Sequence, residues 1–164
     1  RPVLLGGGRP REEDIVNSGL GSARRGARLR VQVVIFVDTS AIYAWADAAD
    51  INHRSAVRRL QAILDSGDQL LTHNYVLVEA LSLLKGRLGV TAAVKLAKDS
   101  SAFVIDWVDD DLHAAGIREL ERSRKRGVSL VDQISFLVMT RRQVSTAFAF
   151  DPDFVSAGFQ LFEG

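Results

Sequence analysis

The sequence predicts a three-layer α/β sandwich with a central, mainly parallel sheet flanked by helices. Strand-like and helix-like segments alternate along the chain. The first strand, Val31–Val37, is a continuous run rich in β-branched residues, which is typical of a strand buried on both faces. Acidic residues directly follow an early and a late strand, at Asp38 and Asp151. In an open parallel sheet, sites form outside the carboxyl ends of strands, so these two acids are candidate site residues.

The first half of the chain shows the alternation clearly. Asp38, Thr39 and Ser40 are good helix-capping residues, so a helix is predicted over residues 41–46. The next predicted elements are a helix from Asn52 to Ser66, a strand over Gln69–Thr72, a helix over Val76–Leu88 and a helix capped by Thr91 that runs to Lys98.

The second half continues the same order. Its predicted elements are a strand over Ala102–Val108, a helix over Asp109–Lys125, a helix from Ser129 to about Arg142, a strand over Thr146–Phe150 and a last short strand over Phe159–Phe162.

Residues 1–30 differ in composition from the rest. They contain seven arginines, three acids, six glycines and two of the three prolines, without a helical or strand period. This composition predicts a disordered basic extension, either passive or able to bind nucleic acid, followed by one folded domain over residues 31–164.

Composition excludes several kinds of site. The 164 residues include no cysteine, so disulfides and thiolate metal sites are excluded. The three histidines, His53, His73 and His113, are far apart in sequence and do not form the two-histidine zinc motif. No serine has a convincing histidine partner in the sequence. No apolar run approaches the roughly 18 residues that span a bilayer, and no secretory signal is seen, so a cytoplasmic protein is expected.

Two further acids interrupt apolar runs. Glu79 lies within residues 75–81 and Asp132 within residues 130–134, and a buried carboxylate is costly unless something pairs with it. Each acid also has a structural interpretation: Asp38 as a helix cap, Asp132 as part of a capping box, Asp151 as a turn residue and Glu79 as a solvated position.

Taken together, the four acids favour a metal site. Converging carboxylates repel one another and raise some pKa values, and a divalent cation removes this conflict. Oxygen ligands without cysteine or clustered histidine suit Mg²⁺, with Mn²⁺ as the alternative ion. Such sites commonly act on phosphate esters, since bound ions can activate water and stabilise the leaving oxygen.

Each of the four acids lies in a distinctive segment: VIFVDTSA at 34–41, YVLVE at 75–79, SLVDQISF at 129–136 and AFDPDF at 149–154. These segments resemble the motifs of PIN-domain ribonucleases, in order and with family-like spacing over residues 33–162. Within that family they resemble most the VapC-like toxins of type II toxin–antitoxin systems. Two departures are Gln133, where a small residue is common, and Ala149, where threonine is common.

The resemblance implies a PIN-like fold and Mg²⁺-dependent cleavage of RNA by Asp38, Glu79, Asp132 and Asp151. Asp38 and Asp132 would be the main metal ligands, Glu79 would act directly or through water, and Asp151 would orient water or complete a second site. Thr39 or Ser40 could hydrogen-bond these ligands, and Asp153 is an additional acid. The resemblance also implies a homodimer and a cognate antitoxin that inserts into the active-site groove.

Two alternatives stay open at this stage. One is a non-catalytic module of the same fold that binds RNA or an antitoxin. The other is phosphoryl transfer through an aspartyl-phosphate at Asp38, although the haloacid-type motif needs a second Asp where Ser40 stands. RNA binding must also overcome the net charge of −3 on residues 31–164, through local basic groups such as Arg126 or Arg141-Arg142.

Overall fold

The computed structural model describes residues 32–123 and 126–164. The predicted disordered extension over residues 1–30 lies outside the described residues. So do Val31, where the first strand was predicted to begin, and Lys125, where the fifth predicted helix was to end.

Five parallel strands form one sheet. They are β1 Val34–Val37, β2 Gln69–His73, β3 Val104–Asp106, β4 Thr146–Phe148 and β5 Gln160–Leu161. Their spatial order is β3-β2-β1-β4-β5, and each neighbouring pair is parallel. The predicted α/β sandwich with a mainly parallel sheet is therefore confirmed.

Seven helices occur in the described part of the chain. They are α1 Thr39–Ala46, α2 His53–Ser66, α3 Asn74–Leu88, α4 Val90–Asp99, α5 Asp110–Ser123, α6 Leu130–Arg141 and α7 Asp153–Ser156, with a 3-10 turn at Ser100–Ala102 before β3. Helix α1 contacts α2 and α3, α3 contacts α4, and α5 packs on α6. None of these helices has the length and apolar character needed to cross a membrane.

Apolar side chains of the central strands form the core. Phe36 of β1, Phe148 of β4 and Phe154 of α7 are almost fully buried. Phe36 contacts Phe154 with ring centroids 6.0 Å apart. Burial on both faces explains why β1 is a continuous apolar run rather than an alternating one.

Helices α3, α4 and α7 differ from the sequence prediction. Helix α4 begins at Val90, after Gly89 at a φ of 91°, so Thr91 is not its cap. Helix α3 begins at Asn74 because the imidazole of His73 accepts a hydrogen bond from the backbone N–H of Val76. The four residues of α7 are too few to show a helical period, so this helix was not predicted.

The strand register brings the ends of three strands into one row. Phe36 pairs with Leu71, and His73 pairs with Asp106, so Asp38, His73 and Asp106 lie at the same level across the sheet. The backbone N–H of Asp38 donates to the carbonyl oxygen of Phe148 at 3.1 Å, which extends this row toward β4. The carboxyl edge of the sheet is therefore where the predicted acids begin to converge.

Candidate active site

Asp38 is the most buried of the predicted acids, with 4% of its surface exposed. It caps α1, and its Oδ2 accepts hydrogen bonds from the backbone N–H of Ser40 at 2.9 Å and from the Ser40 hydroxyl at 2.5 Å. Burial raises the pKa of Asp38 to about 6, the Ser40 hydrogen bonds oppose that rise, and the charge of Asp132 adds to it. The structure thus holds a carboxylate whose charge is only partly stabilised.

Ser40 also joins two of the sequence motifs. While its hydroxyl donates to Asp38, its oxygen accepts a hydrogen bond from the backbone N–H of Phe150 at 3.0 Å. Phe150 directly precedes Asp151, so one hydroxyl links the loop after β1 to the loop after β4. The expectation that Thr39 or Ser40 hydrogen-bonds the acids is confirmed for both residues.

Asp132 lies at the beginning of α6 in a complete capping box. Its Oδ2 accepts from the backbone N–H of Ser129 at 2.6 Å, and the Ser129 hydroxyl accepts from the backbone N–H of Asp132 at 3.2 Å. Burial raises the pKa of Asp132, and the charges of Asp151 and Asp153 raise it further. The capping interpretation is confirmed, but the cap does not account for these neighbouring negative charges.

Glu79 lies on an exposed part of α3, so its interpretation as a solvated position is confirmed and its carboxylate does not lie on a buried apolar face. Its Oε2 accepts a hydrogen bond from the Thr39 hydroxyl at 2.5 Å. Because Thr39 follows Asp38, this bond brings Glu79 to the α1 side of the cluster.

Asp151 is half-buried after β4, and its Oδ1 accepts from the backbone N–H of Asp153 at 2.8 Å. Its predicted role as a turn residue is confirmed by this bond. The interaction of Asp132 with both Asp151 and Asp153 shows that the end of β4 faces the beginning of α6.

The four predicted acids do not form a closed metal cage. Within residues 32–123 and 126–164, no three His, Cys, Asp or Glu side chains are grouped closely enough to hold an ion by themselves. Mg²⁺ is usually bound by one or two carboxylates together with waters and substrate phosphates. The pair of Asp38 and Asp132, with all-oxygen donors and raised pKa values, fits that kind of ion.

The structure contains a buried histidine–serine pair, contrary to the sequence expectation that no serine has a histidine partner. His73 Nε2 is 2.9 Å from the Ser135 hydroxyl, and both residues are fully buried. The Ser135 hydroxyl donates to the carbonyl oxygen of Val131 at 2.8 Å, so its proton is directed away from the histidine. This arrangement is unlike that of a serine nucleophile, whose proton must face the base.

Two of the basic candidates for RNA contact are paired with another acid. Arg141 and Arg142 bind the buried Asp106 at 2.6 and 2.7 Å, so these two candidates for RNA contact serve an internal ion cluster. Burial disfavours the ionised form of Asp106, but the two guanidinium groups favour that form more strongly and hold the pKa of Asp106 below its ordinary value. Tryptophan side chains are more often packed in a core than stacked on bases, so Trp107 would be expected to be buried, but it is 69% exposed.

The comparisons with known proteins agree with this geometry. The PIN domain family model matches residues 35–160. The chain is 39% identical over 128 residues to proteins named "23S rRNA-specific endonuclease VapC20" from two strains of Mycobacterium tuberculosis, a match that covers 77% of this chain and 95% of the relative.

A solved structure gives the same result. The crystal structure of Mycobacterium tuberculosis VapC20, described as a sarcin–ricin loop cleaving toxin, superimposes with a TM-score of 0.68 and 37% identity. This match covers 76% of this chain and 95% of that one. The fold, the ordered acids and these similarities together show that the chain belongs to the PIN-domain family, as a VapC-like endoribonuclease toxin of a kind that depends on divalent metal ions.

Proposed function

We propose that this protein is a Mg²⁺-dependent endoribonuclease whose metal is held chiefly by Asp38 and Asp132, with Glu79 and Asp151 completing the site. The observation that carries this proposal is the buried carboxylate of Asp38 at the carboxyl edge of the sheet. Its pKa is raised to about 6, and the charge of Asp132 adds to that rise. Two carboxylates that repel each other at neutral pH are stabilised when a cation binds both.

Protein groups fix three of these acids before substrate arrives. Ser40 orients Asp38, the backbone N–H of Ser129 orients Asp132, and the Thr39 hydroxyl orients Glu79. A bound Mg²⁺ would supply a more acidic water and neutralise charge developing on the phosphate. The side chains would provide a preorganised negative site and accept the proton released from water.

The substrate we propose is the sarcin–ricin loop of 23S ribosomal RNA. This proposal rests on the 23S rRNA named for the relatives, which are 39% identical over nearly their whole length, and on the sarcin–ricin loop named for the solved structure. Because that RNA is part of the ribosome, we propose that the protein acts in the cytoplasm. Residues 31–164 would form the nuclease, and residues 1–30 an extension that cleavage does not require.

Purified ribosomes provide the direct test. We expect the parent protein with MgCl₂ to produce one new 23S rRNA end within the sarcin–ricin loop, mapped by primer extension, and EDTA to abolish it. Asp38→Asn and Asp132→Asn should lose cleavage by at least about a hundredfold while keeping the circular-dichroism spectrum. The exposed Glu121→Gln removes the same charge from α5 and serves as the matched control.

Each component of the proposal has its own contrary result. Parent-like cleavage by either Asn variant would refute the assignment of the acids. New ends elsewhere in ribosomal, transfer or messenger RNA would refute the substrate but not the reaction. Cleavage with MnCl₂ but none with MgCl₂ would assign Mn²⁺ as the ion.

We also propose a cognate antitoxin as partner, seated in an apolar groove between helices α1 and α2 and the sheet. The groove has a volume of about 420 Å³, and its lining includes Val37, Trp45, Leu64 and Phe148. None of the four acids lines it, but Val37 directly precedes Asp38 in the chain, so the groove reaches the strand end that carries that acid. Leu64 is 54% exposed at its rim, and Leu64→Glu should abolish co-purification with the antitoxin while leaving cleavage intact.

A homodimer is the proposed oligomeric state. Light scattering coupled to gel filtration should give a mass of about 36 kDa for two copies of the 18.0 kDa chain. A mass of one chain at micromolar concentration would contradict this proposal.

A further inference from the structure

One buried imidazole touches both helices that carry candidate metal ligands. His73 is the last residue of β2, and its Nδ1 accepts from the backbone N–H of Val76 at 3.3 Å in the first turn of α3. Its Nε2 lies 2.9 Å from the Ser135 hydroxyl on α6. Glu79 follows Val76 by one helical turn, and Asp132 precedes Ser135 by one turn, so each contact of the imidazole is made about one turn from an acid on the same helix.

The hydrogen bonds define a single tautomer. Because Nδ1 accepts from Val76, the ring proton of the neutral imidazole is on Nε2, which donates to Ser135. Ser135 then donates its own proton to the carbonyl oxygen of Val131. Every donor in this series of hydrogen bonds has one acceptor, so the polar groups are all satisfied although His73 and Ser135 are completely buried.

Packing leaves the ring little freedom. His73 is 0% exposed, its centroid is 5.7 Å from that of Phe36, and Tyr75 packs against it edge-on at 6.3 Å. A ring held between β1 and α3 sets how closely α6 can approach. Burial lowers the pKa of His73 to about 4, so the ring is neutral at physiological pH and the same tautomer persists there.

We infer that His73, through Ser135, is a positioning residue that sets the separation of Glu79 and Asp132 and hence the metal affinity and turnover of the site. This inference rests on the proposed function, because it concerns the two acids assigned to the metal. Groups that orient metal ligands without touching the metal commonly change affinity or activity by about 10–100-fold when removed. His73 itself neither contacts RNA nor transfers a proton.

Three variants separate positioning from general stability. Ser135→Ala removes the acceptor for Nε2 and leaves the α3 cap in place. His73→Asn keeps an acceptor near Val76 but is too short to reach Ser135. Val138→Ala removes buried methyl groups from the same helix and provides a matched loss of stability without touching the hydrogen-bond chain.

The measurements are Mn²⁺ affinity by calorimetry without RNA, and kcat and KM on a sarcin–ricin loop RNA hairpin. We expect Ser135→Ala to weaken Mn²⁺ binding about tenfold and lower kcat about 10–100-fold, with KM within about twofold of the parent. Val138→Ala should leave all three within about twofold. The Ser135→Ala/His73→Asn double variant should lose no more Mn²⁺ affinity or kcat than either single variant, since both substitutions break the same His73–Ser135 hydrogen bond.

Two results would overturn the inference. One is a Ser135→Ala protein whose Mn²⁺ affinity and kcat equal those of Val138→Ala at similar stability. The other is a long-range ¹H–¹⁵N spectrum showing His73 protonated on Nδ1 at pH 7, because that tautomer cannot accept from Val76. The NMR and calorimetric readouts need no cleavage. Failure of the proposed function would instead appear as a parent protein that does not bind Mn²⁺ or cut RNA.

Discussion

Replacing Asp38 by asparagine should make the metal-free protein more stable at neutral pH while abolishing its activity. The side chain is 96% removed from solvent, and burial raises its pKa from 3.8 to about 6. Asparagine has the same shape, can accept both Ser40 hydrogen bonds on its Oδ1 and carries no charge. The variant therefore removes the cost of holding an ionised carboxylate in this position and keeps the local contacts.

The pKa gives the size and sign of the effect. A rise from 3.8 to about 6 corresponds to about 3 kcal/mol of unfavourable interaction for the ionised form, as an upper figure. Between these values the folded protein retains a proton that the unfolded chain has released. The free energy of unfolding of the parent therefore falls as pH increases from about 4 to 6 and stays low above 6. Asp38→Asn should match the parent near pH 4 and exceed its stability by about 1–3 kcal/mol at pH 8.

Urea denaturation in EDTA at pH 4, 6 and 8 measures this difference. The exposed Glu121→Gln variant controls for the loss of one negative charge and should stay within about 0.5 kcal/mol of the parent. Added MgCl₂ should stabilise the parent by mass action and leave Asp38→Asn nearly unchanged. A variant no more stable than the parent at pH 8 in EDTA would refute the argument that the Asp38 charge is poorly compensated.

Three further predictions concern residues around the site and in the core. Ser40→Ala should lower kcat by about 10–100-fold in steady-state assays without unfolding the protein, because its hydroxyl joins Asp38 to the loop before Asp151; unchanged kcat would contradict this role. Asp106→Asn should lower the free energy of unfolding by about 1–3 kcal/mol at pH 7 in urea titrations, because it weakens two charged hydrogen bonds. This difference between variant and parent should shrink below about pH 4, as the parent carboxylate protonates. Gly116→Ala should destabilise the protein by up to about 2 kcal/mol in thermal unfolding, since a Cβ there would lie 2.7 Å from Cγ1 of Ile134. Gly86→Ala, which has open space around it, should instead stabilise the protein by about 0.5–1 kcal/mol.

Local chemistry in the sequence was sufficient for much of the fold. The mostly β-branched run before Asp38 identified a doubly buried strand, and the Ser129–Asp132 capping box identified the beginning of α6. The helix after β2 was placed two residues late because capping by an imidazole has no established sequence signal. Helix α7 was missed because one turn has no period to detect.

For the candidate site, the sequence indicated which acids are involved but not how deeply each one is buried. The pattern of Asp38, Glu79, Asp132 and Asp151 was visible in the sequence because acids that follow strands or interrupt apolar runs are unusual. The sequence treated Glu79 and Asp132 alike, yet Glu79 is exposed and hydrogen-bonded to Thr39, while Asp132 is half-buried beside other carboxylates. Burial depends on which neighbours pack against a helix face, and a one-dimensional pattern does not contain that information.

Side-chain types and their spacing were enough to predict the class of fold, the order of its elements and the acidic chemistry of the site. Three contacts became visible only in the folded protein: Ser40 bridges two loops, Arg141 and Arg142 bind Asp106, and His73 joins α3 to α6. Those contacts connect residues 35 to 110 positions apart in the chain. Such pairings depend on how the sheet and helices pack, so they exist only once the chain has folded.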